Sequence, residues 1–319
     1  MHVLLTGAGQ IGSALVPVLL AAGDRVTVLR RSGPPLPGTQ TLHGDAGDRD
    51  LLHRLAETDP PTVVLHTIHS LYDHRAWRAE LPDREQAVMD LAVSLGIPVV
   101  FPESVYAWGH GASDLPEGTP PSPCSPLGEV RTDLLAARAA HSAVTVSIVA
   151  ADLIGPTATS SGSVATALVV RPTAEGRRVW FPGDPDAPHA VTHLPDLAAS
   201  MRYAGAHAHR LAPTGDAVLH APTPDARSMR QLASDVAGMA GDSAGRGRAE
   251  RVTAVPTWPL AAAGAVNTTM RELHRMRYLW TRPSHLRPGA LTREEGLQPT
   301  PWPDVVRGAV EAVSPGQAR

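Results

Sequence analysis

A doubly wound parallel α/β sheet with a smaller C-terminal lobe is the fold the sequence predicts, and three observations predict it. The first 31 residues run strand, glycine turn, helix, strand. Strand-like and helix-like segments keep alternating through the first half, the pattern of a parallel sheet with helices on both faces. The second half is less regular, as expected of a lobe that caps such a sheet.

The elements follow in order. His2 to Thr6 reads as a buried strand, and Gly7-Ala8-Gly9-Gln10-Ile11-Gly12 opens an apolar helix that stops at Gly23. Arg25 to Leu29 is the second strand, followed by Arg30 and Arg31; Thr41 to His43 is a short third, before Gly44-Asp45. Asp50 to Glu57 reads as a helix, Thr62 to Thr67 as a buried strand, and Arg84 to Leu95 as a helix stopped by Gly96. A strand starts at Pro98, and its alternation over Phe101 to Trp108 would put Ser104 and Tyr106 on one face and Glu103 on the other. Residues 109–128 form a loop rich in Gly, Pro and Ser, before a helix to Ala140 and a strand over Val144 to Val149. Beyond it, Ser163 to Val170, Leu194 to Ala204, Ser228 to Ala240 and Thr300 to Val313 read as helices, Ala217 to His220 and Val252 to Val255 as strands, and 241–248 as a polar linker. The expected division is a sheet domain of 1–152 plus about 188–212, with a lobe of 153–187 and 213–319.

Composition narrows the chemistry. The 319 residues carry a net charge of −3, so no nucleic acid or membrane partner is expected. The one cysteine, Cys124, excludes an intramolecular disulfide and a cysteine metal cluster. Lysine is absent, which removes Schiff-base chemistry. A strand from residue 2 and the lack of a long apolar run predict a soluble, cytoplasmic protein without a signal peptide.

The glycine turn predicts a dinucleotide site. Gly7 permits the tight turn, Gly9 lets backbone approach a pyrophosphate, Gly12 allows close helix–strand packing, and Gln10 and Ile11 lie at the helix N-terminus that faces the phosphates. An acidic residue usually ends the second strand of an NAD site. Here Arg30 and Arg31 stand there, and a guanidinium suits a 2′-phosphate, so NADP(H) is expected.

These landmarks resemble the extended short-chain dehydrogenase/reductase family, the NAD(P)-dependent epimerases and dehydratases, over nearly the whole chain. Thr6 to Gly12 is similar to its glycine motif, one residue shorter. His43-Gly44-Asp45 resembles the motif whose aspartate contacts adenine, and Val63 to His66 the strand under the nicotinamide half. Phe101 to Gly109, Leu153 to Pro156 and Val191 to Ala198 resemble its serine strand, its later YGP segment and its HVxDLA segment. The resemblance implies a Rossmann-type sheet, a substrate lobe, and a homodimer formed through two sheet-flanking helices as one assembly. It breaks at the catalytic YxxxK pair, where Leu127 and Arg131 stand; Ser104 matches the catalytic serine. Leucine transfers no proton, and arginine can bind a ribose but does not deprotonate.

The site must therefore find another proton carrier. Tyr106 beside Ser104, and His69 in the loop after the fourth strand with His66 and Tyr72, are the candidates, with Arg131 as the cation. Glu103 could act as a buried acid, and Tyr72, Glu103 and His189 could meet the substrate. Arg171, Arg177 and Arg178 could bind an anionic substrate or form a solvated cluster. His189 and His193 are four apart but lie in a strand or loop, so no metal is expected, and Asp196 reads as a helix cap. The expected activity is NADPH-dependent hydride transfer at a carbonyl or hydroxyl carbon of a small organic substrate, sugar nucleotides included. The alternatives are a non-redox isomerase, lyase or cyclase on the same fold, and a catalytically silent NADP sensor.

Overall fold

The computed structural model describes residues 1–240 and 252–313. The expected linker at 241–248 lies outside them. The first unit is β1 (His2–Thr6), α1 (Gln10–Ala21), β2 (Arg25–Arg30) and β3 (Gln40–His43). Then come α2 (Arg49–Thr58), β4 (Val63–His66), α3 (His74–Leu95), β5 (Val99–Ser104), a 3-10 segment at Val105–Ser113, α4 (Pro126–Ala140) and β6 (Thr145–Ala150). The second half holds β7 (Asp152–Ile154), a π-type turn at Thr166–Val170, α5 (Arg171–Ala174), β8 (Val179–Pro182), β9 (Pro188–His189), β10 (Val191–His193) and α6 (Leu194–Leu211). It continues with β11 (Asp216–His220), β12 (Arg227–Ser228), α7 (Met229–Met239), β13 (Val252–Val255), α8 (Trp258–Ala263), α9 (Thr268–Arg275), α10 (Tyr278–Thr281), α11 (Ala290–Arg293) and α12 (Trp302–Val313).

Seven strands form one parallel sheet in the order β11-β6-β5-β4-β1-β2-β3. The chain winds outward from β1 through β2 to β3, then returns beside β1 as β4 and winds the other way. This Rossmann-type topology reverses between β1 and β4, and a crevice at the carboxyl ends of the strands opens there. The buried runs Val3-Leu4-Leu5 and Val63-Val64-Leu65 suit strands covered on both faces. On one face α1 and α6 bury Leu15, Leu19, Leu197 and Met201 against the sheet. On the other, α2 and α3 bury Leu52, Val88 and Leu91 against Leu4, Leu29 and Phe101. A separate core, with Trp77, Phe181, Val236, Trp280 and Val306 among its members, joins the lobe to the sheet domain. Among the described residues no helix is long and apolar enough to cross a membrane.

Four expectations change. The helix expected from Arg84 starts ten residues earlier, at His74, and runs through Pro82. An interior proline costs about 3 kcal/mol. Fully burying each of Trp77, Leu81, Val88 and Leu91 contributes roughly 1.5–3 kcal/mol, which outweighs it. The strand expected to reach Trp108 ends at Ser104, and Tyr106 sits in the 3-10 segment, so alternation does not put the two on one face. The helix from Leu194 extends to Leu211 rather than Ala204. Finally β11, whose range the sequence places in the lobe, pairs with β6 as the edge of the central sheet.

A buried ion network ties the layers together. The Arg138 guanidinium, on α4, donates from Nε and Nη2 to both Glu85 oxygens at 2.7 Å. Its Nη1 donates to Glu103 Oε2 and to Ser147 Oγ, each at 3.0 Å, and its Cζ lies 4.1 Å from the Phe101 ring centroid. One side chain thus joins α3, α4, β5 and β6. Arg138→Met strands Glu85 without a counter-charge and leaves Glu103 only the more distant Arg131, a loss of about 3–5 kcal/mol. Denaturant midpoints measure it, and a loss under about 1 kcal/mol would mean that the network does not hold these layers together.

Candidate active site

The glycine turn sits at the carboxyl end of β1, in the crevice. Gly7 has φ +94°, a conformation open to glycine, and its N–H donates to Leu29 O at 2.9 Å. A Cβ on Gly12 would lie 2.4 Å from Gly7 O, so the helix can approach the turn this closely only with glycine there. A Cβ on Gly9, the N-cap of α1, would meet nothing within 4 Å. The turn therefore presents the unpaired first-turn N–H groups of α1 to open space, with no acidic side chain in that turn. That cradle fits a pyrophosphate. Gln10 commits its side chain to the loop after β7: Nε2 donates to Gly162 O at 2.9 Å, and Thr159 N donates to its Oε1 at 3.1 Å. Thr157 Oγ1 donates to Gln10 O at 2.8 Å, so this loop is tied to the N-terminus of α1. Ile11 is half-buried against the core beneath.

At the far end of the crevice Arg31 is exposed and Arg30 half-buried, with Arg30 Nη1 donating to Pro34 O at 3.0 Å. Asp45 receives a two-pronged bond from Arg84, Nε to Oδ1 at 2.8 Å and Nη2 to Oδ2 at 2.9 Å, and Gly47 N donates to Oδ1 as well. The Arg84 hydrogen bonds pull the Asp45 carboxyl down to about 2. Three of its roughly four acceptor positions are taken, which leaves one for an adenine amine. His66 lies inside the sheet: its Nδ1 is 2.8 Å from Thr6 Oγ1 and its Nε2 has no hydrogen-bond partner. Burial, then the Arg138 charge, lowers its pKa to about 3, so the ring is neutral at ordinary pH.

Between these features lies an aromatic cluster around one cation. Tyr72, in the loop after β4, donates from its hydroxyl to the Tyr106 hydroxyl at 3.2 Å. Trp77, on α3, lies parallel to the Tyr106 ring with centroids 6.3 Å apart, and the Arg131 Cζ sits 4.6 Å from the Trp77 ring centroid. His69 meets the edge of Trp77 at 4.6 Å between centroids, and its Nδ1 is 2.7 Å from Ser70 O. A ring N–H donated there leaves Nε2 as the acceptor. Desolvation by its neighbours, then the Arg131 charge, lowers the His69 pKa, although part of the residue stays open to solvent. Burial raises the pKa of both phenols, so each is a neutral hydroxyl in the free protein.

The other sequence candidates fall around this cluster. Glu103 is buried and faces two guanidiniums, Arg138 at 3.0 Å and Arg131 Nε at 3.6 Å. It also accepts Ser104 N at 2.7 Å, which makes it a support for the cations. Ser104 is half-buried, its Oγ 3.5 Å from Glu103 Oε1. His189, on β9, is buried with Nδ1 3.2 Å from Leu279 O and Nε2 3.6 Å from Asp152 Oδ2. With Phe181, Met229 and Arg282 it lines a shallow cleft that has no enclosed room for a small molecule. Small-molecule sites usually have roughly 300 Å³ or more. His193 and Asp196 are 3.7 Å apart, and Asp196 accepts from Thr300, joining α6 to the chain before α12. Arg171 bonds Ser160, and Arg177 pairs with Glu175. Sequence reading missed Trp77, because Pro82 masked the first half of α3; the spacing Trp77, Leu81, Glu85, Val88 was the available signal. It missed Arg84 and Arg138 because nothing local distinguishes them from solvated arginines.

The model of the NAD dependent epimerase/dehydratase family matches residues 3–218. No curated protein matches the sequence. Among solved structures, the Bordetella bronchiseptica enzyme WbmG in complex with NAD and UDP is similar at 20% identity and a TM-score of 0.75, over 98% of this chain and 96% of that one. UDP-glucose 4-epimerase from Thermotoga maritima with UDP-glucose is similar at 16% identity and a TM-score of 0.73, over 98% of each chain. MoeE5 in complex with UDP-glucose and NAD reaches 22% identity and a TM-score of 0.72, again over 98% of each. At these identities the likeness is one of fold.

His66 provides a pH test of the site's packing. Its folded pKa of about 3 lies below the ordinary value, so the unfolded chain binds a proton that the folded chain refuses. Stability is full above about pH 6.5 and falls as pH drops toward the folded value, by up to about 1.4 kcal/mol per unit. Denaturant midpoints taken between about pH 7 and 4 should show a shallower slope for His66→Asn than for the parent. Equal slopes would mean that His66 is not held neutral.

Proposed function

The chain belongs to the NAD dependent epimerase/dehydratase family, and from that premise we propose that it uses NADP(H) to act on a carbonyl or hydroxyl carbon of a sugar nucleotide. The observation that carries this reading is the Tyr72–Tyr106–Trp77–Arg131 cluster at the same sheet edge as the glycine turn. Two half-buried phenols that share a hydrogen bond beside a guanidinium place proton-carrying groups where a purely structural edge would need only apolar side chains.

Each residue has a part. Gly7, Gly9 and Gly12 shape the cradle for the pyrophosphate, and Arg30 and Arg31 receive the 2′-phosphate. Asp45, held by Arg84, meets the adenine with its remaining acceptor position. A bound nicotinamide supplies a hydride acceptor and donor. Tyr106 exchanges a proton with the substrate oxygen, taking the part for which Leu127 is unfit, and Ser104 polarises that oxygen. Arg131 contributes positive charge. His69, neutral with a free Nε2, is the acceptor nearest to solvent.

A second reading has one observation behind it. Arg131 is engaged by Glu103 and Trp77, contacts that a ribose-holding cation would have to share. A non-redox isomerase or lyase, with the dinucleotide as a structural group, would tolerate that arrangement.

Calorimetric titration with NADPH and NADH, followed by turnover of UDP-hexoses, separates these readings. NADPH should bind more tightly than NADH, and Arg30→Ala with Arg31→Ala should weaken NADPH by tenfold or more, about 1.4 kcal/mol, while leaving NADH nearly unchanged. Equal losses for both would refute the 2′-phosphate assignment. Tyr106→Phe should lower turnover by roughly 10²-fold or more, and Ser104→Ala by less. Unchanged turnover in both variants would sink the mechanism, and turnover that persists with a redox-inert dinucleotide would favour the isomerase.

A further inference from the structure

Tyr106 has a partner that an isolated proton donor would not need. The Tyr72 hydroxyl donates to the Tyr106 hydroxyl at 3.2 Å, across 34 positions of sequence. The rings meet edge to face at 6.5 Å, and Trp77 flanks both, 5.9 Å from Tyr72 and 6.3 Å from Tyr106. Tyr72 is also anchored from its C-terminal side. Asp73 caps α3, and His74 Nδ1 lies 2.8 Å from Glu272 Oε1, on a fully buried carboxylate of α9 in the lobe. Arg275 Nη1 donates to the same oxygen at 2.9 Å. One turn on, Met276 accepts from Ser125 Oγ at 3.1 Å, and Ser125 caps α4, the helix of Arg131. The lobe segment 272–276 thus braces the cluster from two sides.

We infer that Tyr72 is the working partner of Tyr106: its hydroxyl orients the Tyr106 oxygen and steadies the negative charge left there when Tyr106 gives its proton to the substrate oxygen. This rests on the proposed exchange of a proton between Tyr106 and substrate. In that exchange a hydride from a bound reduced dinucleotide would add to the carbonyl carbon, the Tyr106 O–H bond breaks as the substrate O–H bond forms, and the electron pair stays on Tyr106 as a phenolate. In the opposite direction the phenolate takes the proton of a substrate hydroxyl while the hydride would pass to a bound oxidised dinucleotide, so an epimerisation at a hydroxyl carbon starts from the Tyr106 phenolate and ends by returning the same proton. A phenolate in this buried place needs a donor. Arg131 does not bond it directly, being held at Trp77 and Glu103, whereas Tyr72 already points a hydroxyl at it. The direction of that bond favours charge on Tyr106 and disfavours it on Tyr72. Asp152 opposes charge on Tyr106 and Arg131 favours it, while Tyr278 and Glu272 disfavour it on Tyr72.

The chain has only four tyrosines, Tyr72, Tyr106, Tyr203 and Tyr278, so full-length protein labelled with 3-fluorotyrosine gives four assignable fluorine resonances. Tyr72→Phe should move the Tyr106 resonance and shift its ionisation to higher pH. Tyr203→Phe, whose hydroxyl bonds Glu295 instead, should do neither. Glu272→Gln keeps both hydroxyls and should disturb the Tyr72 and Tyr106 resonances together, which separates the pair from a folding defect. With UDP-glucose and added dinucleotide, Tyr72→Phe should lower kcat roughly 10- to 100-fold at nearly constant KM, as for a hydrogen bond to a charged group. The double variant should be no slower than Tyr106→Phe alone. A Tyr106 resonance and ionisation unmoved by Tyr72→Phe, or kcat losses that multiply in the double variant, would overturn the pairing. Shifts as expected in a protein that turns over no UDP-hexose would uphold the pair and overturn the proposed substrate class.

Discussion

The buried Arg138 guanidinium is the constraint on which the rest of the site depends. It satisfies Glu85 from one helix and Glu103 from the central sheet, and in doing so it fixes the spacing between α3, α4 and β5. Buried charges are tolerated only when paired and fully bonded. The pairing therefore sets more than stability. Glu103 is held in place by Arg138 and offers its other oxygen toward Arg131, so the position of the cation in the aromatic cluster descends from the network beneath it.

Around that foundation the site is built from two uneven halves. The dinucleotide half is nearly all backbone: a positive-φ glycine, a helix start with open space before it, and a second glycine that lets helix and turn touch. Such a surface suits any pyrophosphate and says little about chemistry. The other half is side chains, two phenols, an indole and a guanidinium gathered at the same sheet edge. Leu127, in the first turn of α4, is a fully buried apolar side chain. The hydroxyls enter instead from the loops after β4 and β5, which also end at the crevice. A sheet edge gathers loops from distant parts of the chain, so a site can be assembled there from neighbouring strand ends.

The lobe contributes to this arrangement even though its own secondary structure is fragmentary. The 272–276 segment reaches back to His74 and to Ser125. Gln10 reaches in the opposite direction, from the glycine turn to the loop at Gly162. Sheet domain and lobe thus interlock at both ends of the crevice, so that a displacement of the lobe would be felt at Tyr72 and at the pyrophosphate cradle.

Much of this was legible in the sequence. Buried apolar runs, a glycine turn and alternating elements determine a doubly wound sheet, because period and turn chemistry are local properties that each segment carries by itself. The same is true of the crevice, since topology places it at the end of β1. Local signals misled where tertiary packing overrode them. Pro82 does not stop α3, because the apolar side chains around it are worth more buried than the proline costs. The strand through Ser104 ends before Tyr106, and no local residue announces it. β11 joins the sheet rather than the lobe, because an unpaired edge of β6 was available to it. Which of 28 arginines is buried, which carboxylates it serves, and which two of four tyrosines share a hydrogen bond were decided only by the folded chain. Charges and hydroxyls choose partners by distance in space, and the pairs that matter here, Glu85 with Arg138, Tyr72 with Tyr106 and His74 with Glu272, lie 53, 34 and 198 positions apart.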